Sequence, residues 1–218
     1  MSAQRIAVGF DIPPQPPLGL VRGLVLFARL IRLDSVMVAD HFQSLLPTSL
    51  WDEEFSWVAA RNLSSHELFE YQALLGYLTS RAGRLGIGVG VTEPIRRHPV
   101  LIAQTMLTLA HITKRPPILG IGAGERENIE PYGLNFVNPV DRLEEALQII
   151  RLCFSSQSAI DFRGKHYRLD RAPMDLRPPE GKSPEVWLAA DGPSMRTPHA
   201  AVNRAVWGWM VSHCATLY

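Results

Sequence analysis

The 218-residue sequence lacks a strong charge of either sign and is poor in cysteine. With 22 basic and 21 acidic side chains the net charge is +1, and no basic stripe predicts a nucleic-acid partner. The two cysteines, Cys153 and Cys214, stand far apart and outside any CxxC pair. The histidines lack the HExxH and HxH spacings, so neither a disulfide framework nor a metal site is predicted. We expect a cytoplasmic protein, because thiols stay reduced there.

Long apolar runs are scarce as well. The most apolar stretch, residues 18–33, is shorter than the ~20 residues that a membrane-spanning helix needs. Arg22, Arg29 and Arg32 interrupt it, and Asp11 with a proline cluster precedes it, which is unlike a signal peptide. We therefore expect a helix that packs on a sheet, and no transmembrane segment.

What the sequence does contain is a regular alternation of short apolar segments with helical patterns. Such alternation is typical of parallel β/α architecture, either a doubly wound sheet or a barrel. No second domain is apparent, so one domain over residues 1–218 is expected, and Ser64 or Ser65 should cap the second helix. The predicted strands cover residues 5–11, 35–40, 85–92, 117–122, 185–190 and 205–211, with a hairpin over 159–169 that turns at Gly164, and the predicted helices begin at Leu18 and cover 65–79, 98–113, 138–154 and 193–204.

Polar residues gather where the predicted strands end. Parallel β/α proteins concentrate functional groups at the carboxyl ends of their strands. The second strand ends in Asp40 and His41, and Glu125 lies in a glycine-rich turn after the fourth. A histidine in this position suits acid–base chemistry or a hydrogen bond to a cofactor, and a half-buried structural histidine is the alternative. Glu125 is either a functional group at the same edge or a solvated loop carboxylate.

Two segments are unusually rich in glycine. The turn at 120–125 has Glu125 where a GxGxxG fingerprint would need glycine, so it indicates a close approach of backbone to a ligand rather than a Rossmann loop. The third strand has glycines at 86, 88 and 90. Such glycines indicate a bulge or a close backbone contact, with simple tolerance of small residues as the alternative.

Five segments resemble the luciferase-like monooxygenase superfamily, in its branch that uses the deazaflavin coenzyme F420. They occur in the family's order and are VADHFQ (38–43), GVGVT with RRHPVLIAQ (88–104), ILGIGAGERE (118–127), GKHYRL (164–169) and EVWLAADGP (185–193). Within that branch, GAGERENIEPYG and RLEEALQIIR are most similar to the phthiodiolone/phenolphthiodiolone dimycocerosate ketoreductases. The resemblance implies a TIM (β/α)8-barrel type of α/β fold.

The resemblance also implies a function. It is the F420-dependent reduction of a keto group on a long-chain, hydrophobic lipid to the alcohol. His41 would stand beside the reactive carbon of the coenzyme, Asp40 would hydrogen-bond the edge of its ring, and Glu125 would protonate the substrate oxygen. The other implied coenzyme contacts are Gly90 and Val91, in a strand bulge where the family often has a cis peptide bond, and Ala123, Gly124 and Gly192.

The sequence departs from the family pattern towards its C-terminal end. The family's GRYADGWI reads NRAVWGWM at 203–210, so Trp207 replaces the usual aspartate, and Tyr218 is the last residue. Because a complete barrel takes about 250 residues, we expect an incomplete barrel with about six of the eight β/α units. The alternatives are a luciferase-type monooxygenase that uses flavin mononucleotide (FMN) and a non-catalytic remnant or interaction protein. Assembly into a homo-oligomer also stays open.

Overall fold

In a computed structural model, residues 7–57, 59–61 and 64–189 form a parallel sheet with helices between its strands. The alternation of strands and helices predicted from sequence is confirmed for these residues. The strands are β1 (Gly9–Ile12), β2 (Ser35–Val38), β3 (Gly86–Thr92), β4 (Ile118–Ile121), β5 (Ile160–Arg163), β6 (Arg168–Ala172) and β7 (Glu185–Leu188), and the helices are α1 (Leu18–Leu30), α2 (Tyr71–Ala82), α3 (Pro99–Ile112) and α4 (Pro139–Ser155).

The order of the strands indicates a barrel rather than a doubly wound sheet. The main sheet runs β1-β2-β3-β4-β7, and every pair in it is parallel. A doubly wound sheet reverses its strand order at a switch point, and no reversal occurs among the described strands. The hairpin of β5 and β6 is antiparallel, as predicted. In the chain it lies between α4 and β7, and its two strands form a separate sheet. Within the described part of the chain, β1 and β7 are the two edges.

The core lies between the helices and the sheet. The predicted apolar stripe of α3 is buried at Ile102, Met106 and Leu109, while Ile112 at its end is half exposed. In α4 the buried positions include Leu143 and Ile150, at the helical spacing that the sequence predicts. Among the described residues, no helix combines the length and the apolar character needed to cross a membrane.

The start of α2 differs from the prediction. The helix begins at Tyr71 rather than at residue 65, and its cap is Glu70, whose carboxylate accepts a hydrogen bond from the Ala73 amide at 2.7 Å. Long-range hydrogen bonds hold the preceding residues in an irregular conformation. Phe69 N–H donates to the Pro14 carbonyl at 2.6 Å, and the Ser65 carbonyl accepts from Gln15. The prediction of a serine cap was therefore wrong, because long-range bonds outweigh local helix signals here.

Other boundaries shift by a few residues. β1 ends one residue later than predicted, β2 ends two residues earlier, and α4 extends to Ser155. The predicted strand at 205–211, the predicted helix at 193–204 and Gly192 lie outside the described residues.

The glycines of β3 have a steric cause at one position. A Cβ atom on Gly88 would lie 2.1 Å from the Ile118 carbonyl oxygen, so β3 and β4 approach too closely there for any side chain. Gly86 has room, because its nearest neighbours would be 3.4 Å away. The predicted bulge is confirmed between Val89 and Thr92, where the register against β4 shifts. The peptide bond from Gly90 to Val91 within this bulge is cis.

We expect Gly88→Ala to destabilise the protein strongly. The added methyl group must push β3 away from β4, and overpacking of this kind costs about 1–3 kcal/mol or more. Gly86→Ala is the matched control, since its methyl group meets only ordinary contacts. Urea unfolding followed by circular dichroism measures both free energies. Equal stabilities of the two variants would contradict the close approach.

Candidate active site

Two side chains predicted from sequence meet at the carboxyl-end edge of the sheet. His41 follows β2 and Glu125 follows β4. The Nε2 atom of His41 lies 3.3 Å from Oε2 of Glu125, and the two side chains are 22% and 39% exposed. The pair is therefore close enough to share a hydrogen bond and open enough to meet a ligand.

Asn128 connects the two loops that carry this pair, and the sequence analysis did not predict this role. Its Nδ2 donates to Oε2 of Glu125 at 3.1 Å. Its Oδ1 accepts from the backbone N–H groups of Phe42 and Gln43 at 2.9 and 3.0 Å. Asn128 is 1% exposed, so a fully buried amide uses both its donor and its acceptor to join the two loops. The only sequence signal was an asparagine three residues after Glu125, which any polar loop could contain.

Asp40, which precedes His41 in the chain, lies in a buried ion-pair network. Its carboxylate accepts a two-pronged contact from Arg97, with Nη2 3.0 Å from Oδ1 and Nε 3.1 Å from Oδ2. The Thr92 hydroxyl donates to Oδ2 at 2.6 Å. The Asp40 side chain is only 3% exposed, and a buried charge of this kind requires such partners. The contact of Asp40 with the coenzyme stays a prediction, and the three hydrogen bonds that its carboxylate accepts also give it a structural role at this edge.

Arg97 extends this network to helix α2. Its Nη2 lies 3.0 Å from the carboxylate of Glu70, the cap of α2, and its guanidinium lies 4.9 Å from the centre of the Tyr71 ring. Burial, and secondarily the charge of Asp40, raises the pKa of the Tyr71 hydroxyl, which therefore stays neutral at physiological pH. One arginine thus joins the ends of β2 and β3 to the start of α2.

Arg96 also binds residues at this edge of the sheet. Its Nε pairs with the Glu93 carboxylate, its Nη2 donates to the Asp40 carbonyl, and its side chain is 3% exposed. Its guanidinium also lies 4.7 Å from the centre of the Phe42 ring. The remaining nitrogen, Nη1, is buried and has no hydrogen-bond partner among the described residues. Such orphan donors are rare in folded proteins, and this one lies in the network next to His41.

The glycine-rich turn brings Glu125 to the edge. Gly124 has φ +90°, and a Cβ atom there would lie 2.9 Å from Ile129 and 3.0 Å from the Glu93 side chain. Glycine is therefore required for the turn itself. A Cβ atom on Gly122 would lie 3.5 Å from the Val91 side chain, so the turn borders the β3 bulge. The coenzyme contacts of Gly90, Val91, Ala123 and Gly124 stay predictions, and Gly192 lies outside the described residues.

A family model described as luciferase-like monooxygenase matches residues 33–214. The chain belongs to this family. It is 40% identical over 200 residues to a phthiodiolone/phenolphthiodiolone dimycocerosates ketoreductase of Mycobacterium sp. (strain JLS), a match that covers 89% of this chain and 53% of the relative. It is 30% identical over 123 residues to a 5,10-methylenetetrahydromethanopterin reductase of Archaeoglobus fulgidus, covering 56% of this chain and 36% of that one. The chain spans about half the length of the ketoreductase that it matches.

Solved luciferase-like structures share the fold at low sequence identity. The coenzyme F420 dependent tetrahydromethanopterin reductase of Methanopyrus kandleri superposes with a TM-score of 0.67 at 18% identity, over 88% of this chain and 52% of that one. An F420-dependent secondary alcohol dehydrogenase, solved with an F420-acetone adduct, gives 0.68 at 21% identity, over 87% and 54%. The TIM-barrel type of fold predicted from the resemblance is thereby confirmed.

We expect Asn128→Ala to lower the free energy of unfolding by about 1–3 kcal/mol, because two backbone N–H groups lose their buried acceptor. Gln43→Ala is the matched control. It removes one exposed hydrogen bond, from Gln43 Nε2 to the Glu127 carbonyl, and should cost about 1 kcal/mol or less. Urea unfolding compares the two variants. If Asn128→Ala proved no less stable than Gln43→Ala, the hydrogen bonds of Asn128 would not hold the two loops together as inferred.

Proposed function

We propose that this protein is an F420-dependent oxidoreductase that reduces a ketone to a secondary alcohol. The observation that carries the proposal is the His41–Glu125 pair, 3.3 Å apart at the carboxyl-end edge of the sheet in a luciferase-like chain. Two comparisons support it. The name of the 40% identical relative states ketoreductase activity, and F420-dependent enzymes share the fold.

The residues at this edge fit a flat coenzyme ring that is rich in hydrogen-bond acceptors. The turn before Glu125 offers small residues, Ala123 and Gly124, whose backbone a ring can approach. Arg96 offers one buried donor, Nη1, that lacks a partner among the described residues, and a carbonyl oxygen of the ring would satisfy it. We propose that His41, Gly90, Val91, Ala123, Gly124 and Gly192 hold the coenzyme, and that Asp40 acts on it through the ion-pair network.

The chemistry divides between the coenzyme and the chain. The reduced coenzyme supplies a hydride for the carbonyl carbon. The chain must then deliver a proton to the carbonyl oxygen, and we assign that proton to the Glu125 carboxyl group. His41 Nε2 lies 3.3 Å from Glu125 Oε2, so the two side chains would share this proton before Glu125 transfers it to the carbonyl oxygen. Both side chains are partly exposed, so the pair regains its proton from solvent after each turnover.

The substrate class follows from the relatives. Their names specify phthiodiolone and phenolphthiodiolone dimycocerosates, and we propose a long-chain, hydrophobic ketone of this kind for the present chain. FMN-dependent monooxygenation is the second candidate, because the family description is a monooxygenase and an EDTA monooxygenase of Chelativorans sp. BNC1 superposes with a TM-score of 0.70 at 16% identity, over 88% of this chain and 51% of that one. Oxygen consumption with reduced FMN, and none with reduced F420, would favour that candidate.

We expect the purified chain to quench the fluorescence of oxidised F420 in a saturable titration. His41→Ala should weaken binding roughly tenfold, which corresponds to about 1.4 kcal/mol, because a side chain beside the ring is lost. His111→Ala is the matched control, since His111 lies at the end of α3 and contacts the Arg177 carbonyl.

Two results would contradict this proposal. An absence of quenching by a folded chain would mean that the protein does not use F420, which leaves FMN-dependent monooxygenation or a non-catalytic role. Equal losses in His41→Ala and His111→Ala would mean that the coenzyme does not bind beside His41.

A further inference from the structure

Six large apolar side chains are exposed on the two loops that also carry His41 and Glu125. We propose that they form an apolar shelf that holds the alkyl chain of the ketone substrate. This inference rests on the proposed function and adds the part of the molecule that selects the substrate. The shelf consists of Phe42, Leu45 and Leu46 from the loop after β2, and of Tyr132, Leu134 and Val137 from the loop after β4.

All six shelf side chains are exposed to solvent. Its members range from 37% exposed at Leu46 to 55% exposed at Val137. Single apolar residues are common on protein surfaces, but groups of them mark binding sites. An apolar ligand that covered these side chains would gain the free energy of removing them from water.

The shelf continues directly from the reacting pair. Phe42 follows His41 in the chain, and its ring centre lies 4.5 Å from that of Tyr132 in an edge-to-face contact. The Phe42 amide is held by Asn128, which also holds Glu125. A ketone whose oxygen meets Glu125 would therefore extend its chain over Phe42 and Tyr132.

The shelf segments carry no charge. Residues 42–46 read FQSLL and residues 132–137 read YGLNFV. In the second loop Arg126 pairs with Glu130 at 2.5 Å and its guanidinium lies 5.4 Å from the centre of the Phe136 ring, while Glu127 is exposed. The acidic residues of the first loop begin only at Asp52. The uncharged shelf segments therefore suit an alkyl chain better than a charged ligand.

The backbone below the shelf is anchored. Gln43 Nε2 donates to the Glu127 carbonyl at 2.6 Å, which joins the two loops. His66 then holds the first loop at two points, since its Nδ1 accepts from the Ser44 amide at 3.1 Å and its Nε2 lies 3.2 Å from the Thr48 hydroxyl. The surface is therefore preformed, and a ligand does not have to order it.

A lasting protein contact fits this position poorly. The shelf lies on the same two loops as His41 and Glu125, which are partly exposed, so a second copy of the chain seated there would cover these loops. A transient alkyl chain leaves the site open between turnovers. We therefore assign the shelf to the substrate, and self-association becomes an outcome that the experiment detects.

The test is the chain-length dependence of binding. Dissociation constants of 2-alkanones from 2-hexanone to 2-dodecanone are measured on the full chain by isothermal titration calorimetry. In the unsubstituted protein we expect the affinity to rise by up to about fourfold for each added methylene that is buried. Leu45→Ser and Leu134→Ser should flatten this rise. Leu30→Ser is the matched control, because Leu30 is 71% exposed on α1, and it should leave the rise unchanged.

Parallel measurements make each outcome decisive. If the affinity of Leu45→Ser and Leu134→Ser still rose with alkyl chain length as in the unsubstituted protein, the proposal would be wrong. It would also be wrong if Leu30→Ser flattened the rise as much as they do. A dimer that Leu45→Ser dissociates, with the rise unaltered, would show a self-association surface instead. Titration with F420 separates this proposal from the proposed function. A flattened rise without coenzyme binding would support the shelf and contradict the oxidoreductase.

Discussion

A carboxylate that is 3% exposed keeps its charge only when donors and cations surround it, and the arrangement of the candidate site depends on how Asp40 meets this condition. Arg97 occupies both of its oxygens and Thr92 adds a short hydrogen bond. Both partners come from the end of β3 and the segment that leads to α3, so one buried charge holds the end of β2 against this region. Removing one member of such a pair costs about 3–5 kcal/mol, which is a large share of the stability of a domain.

The His41–Glu125 pair adjoins this ion-pair network, and a second, uncharged contact also fixes its geometry. His41 follows Asp40 in the chain, so the ion pair that holds Asp40 also positions His41. Glu125 is presented by the turn at Gly124 and is held from the side by the amide of Asn128. The separation of 3.3 Å between histidine and carboxylate is the product of both contacts. Proton transfer depends on such a distance, which links the buried charges to the proposed chemistry.

Much of the fold and half of the site arrangement follow from local sequence. Parallel strands buried on both faces leave a strong apolar signal, and because functional groups gather at strand ends, His41 and Glu125 are predictable from their positions in the sequence. The parts that were missed depend on contacts between distant residues. The start of α2 is set by the bond from Phe69 to Pro14, whereas Asn128 and Arg97 act on residues more than fifty positions away. No periodicity or motif records such a pairing.

The central claim is that Asp40 and Arg97 act as one unit that positions His41 in the coenzyme site, and a double-mutant cycle tests it most directly. The dissociation constant of oxidised F420 is measured for Asp40→Asn, Arg97→Gln and the double variant, with circular dichroism to establish that each is folded. If the two residues act as one unit, each single substitution weakens binding and the double variant binds no more weakly than the worse single one, with a coupling of at least about 0.5 kcal/mol. Strictly additive losses would mean that Asp40 acts on the coenzyme independently of Arg97, and would contradict the account.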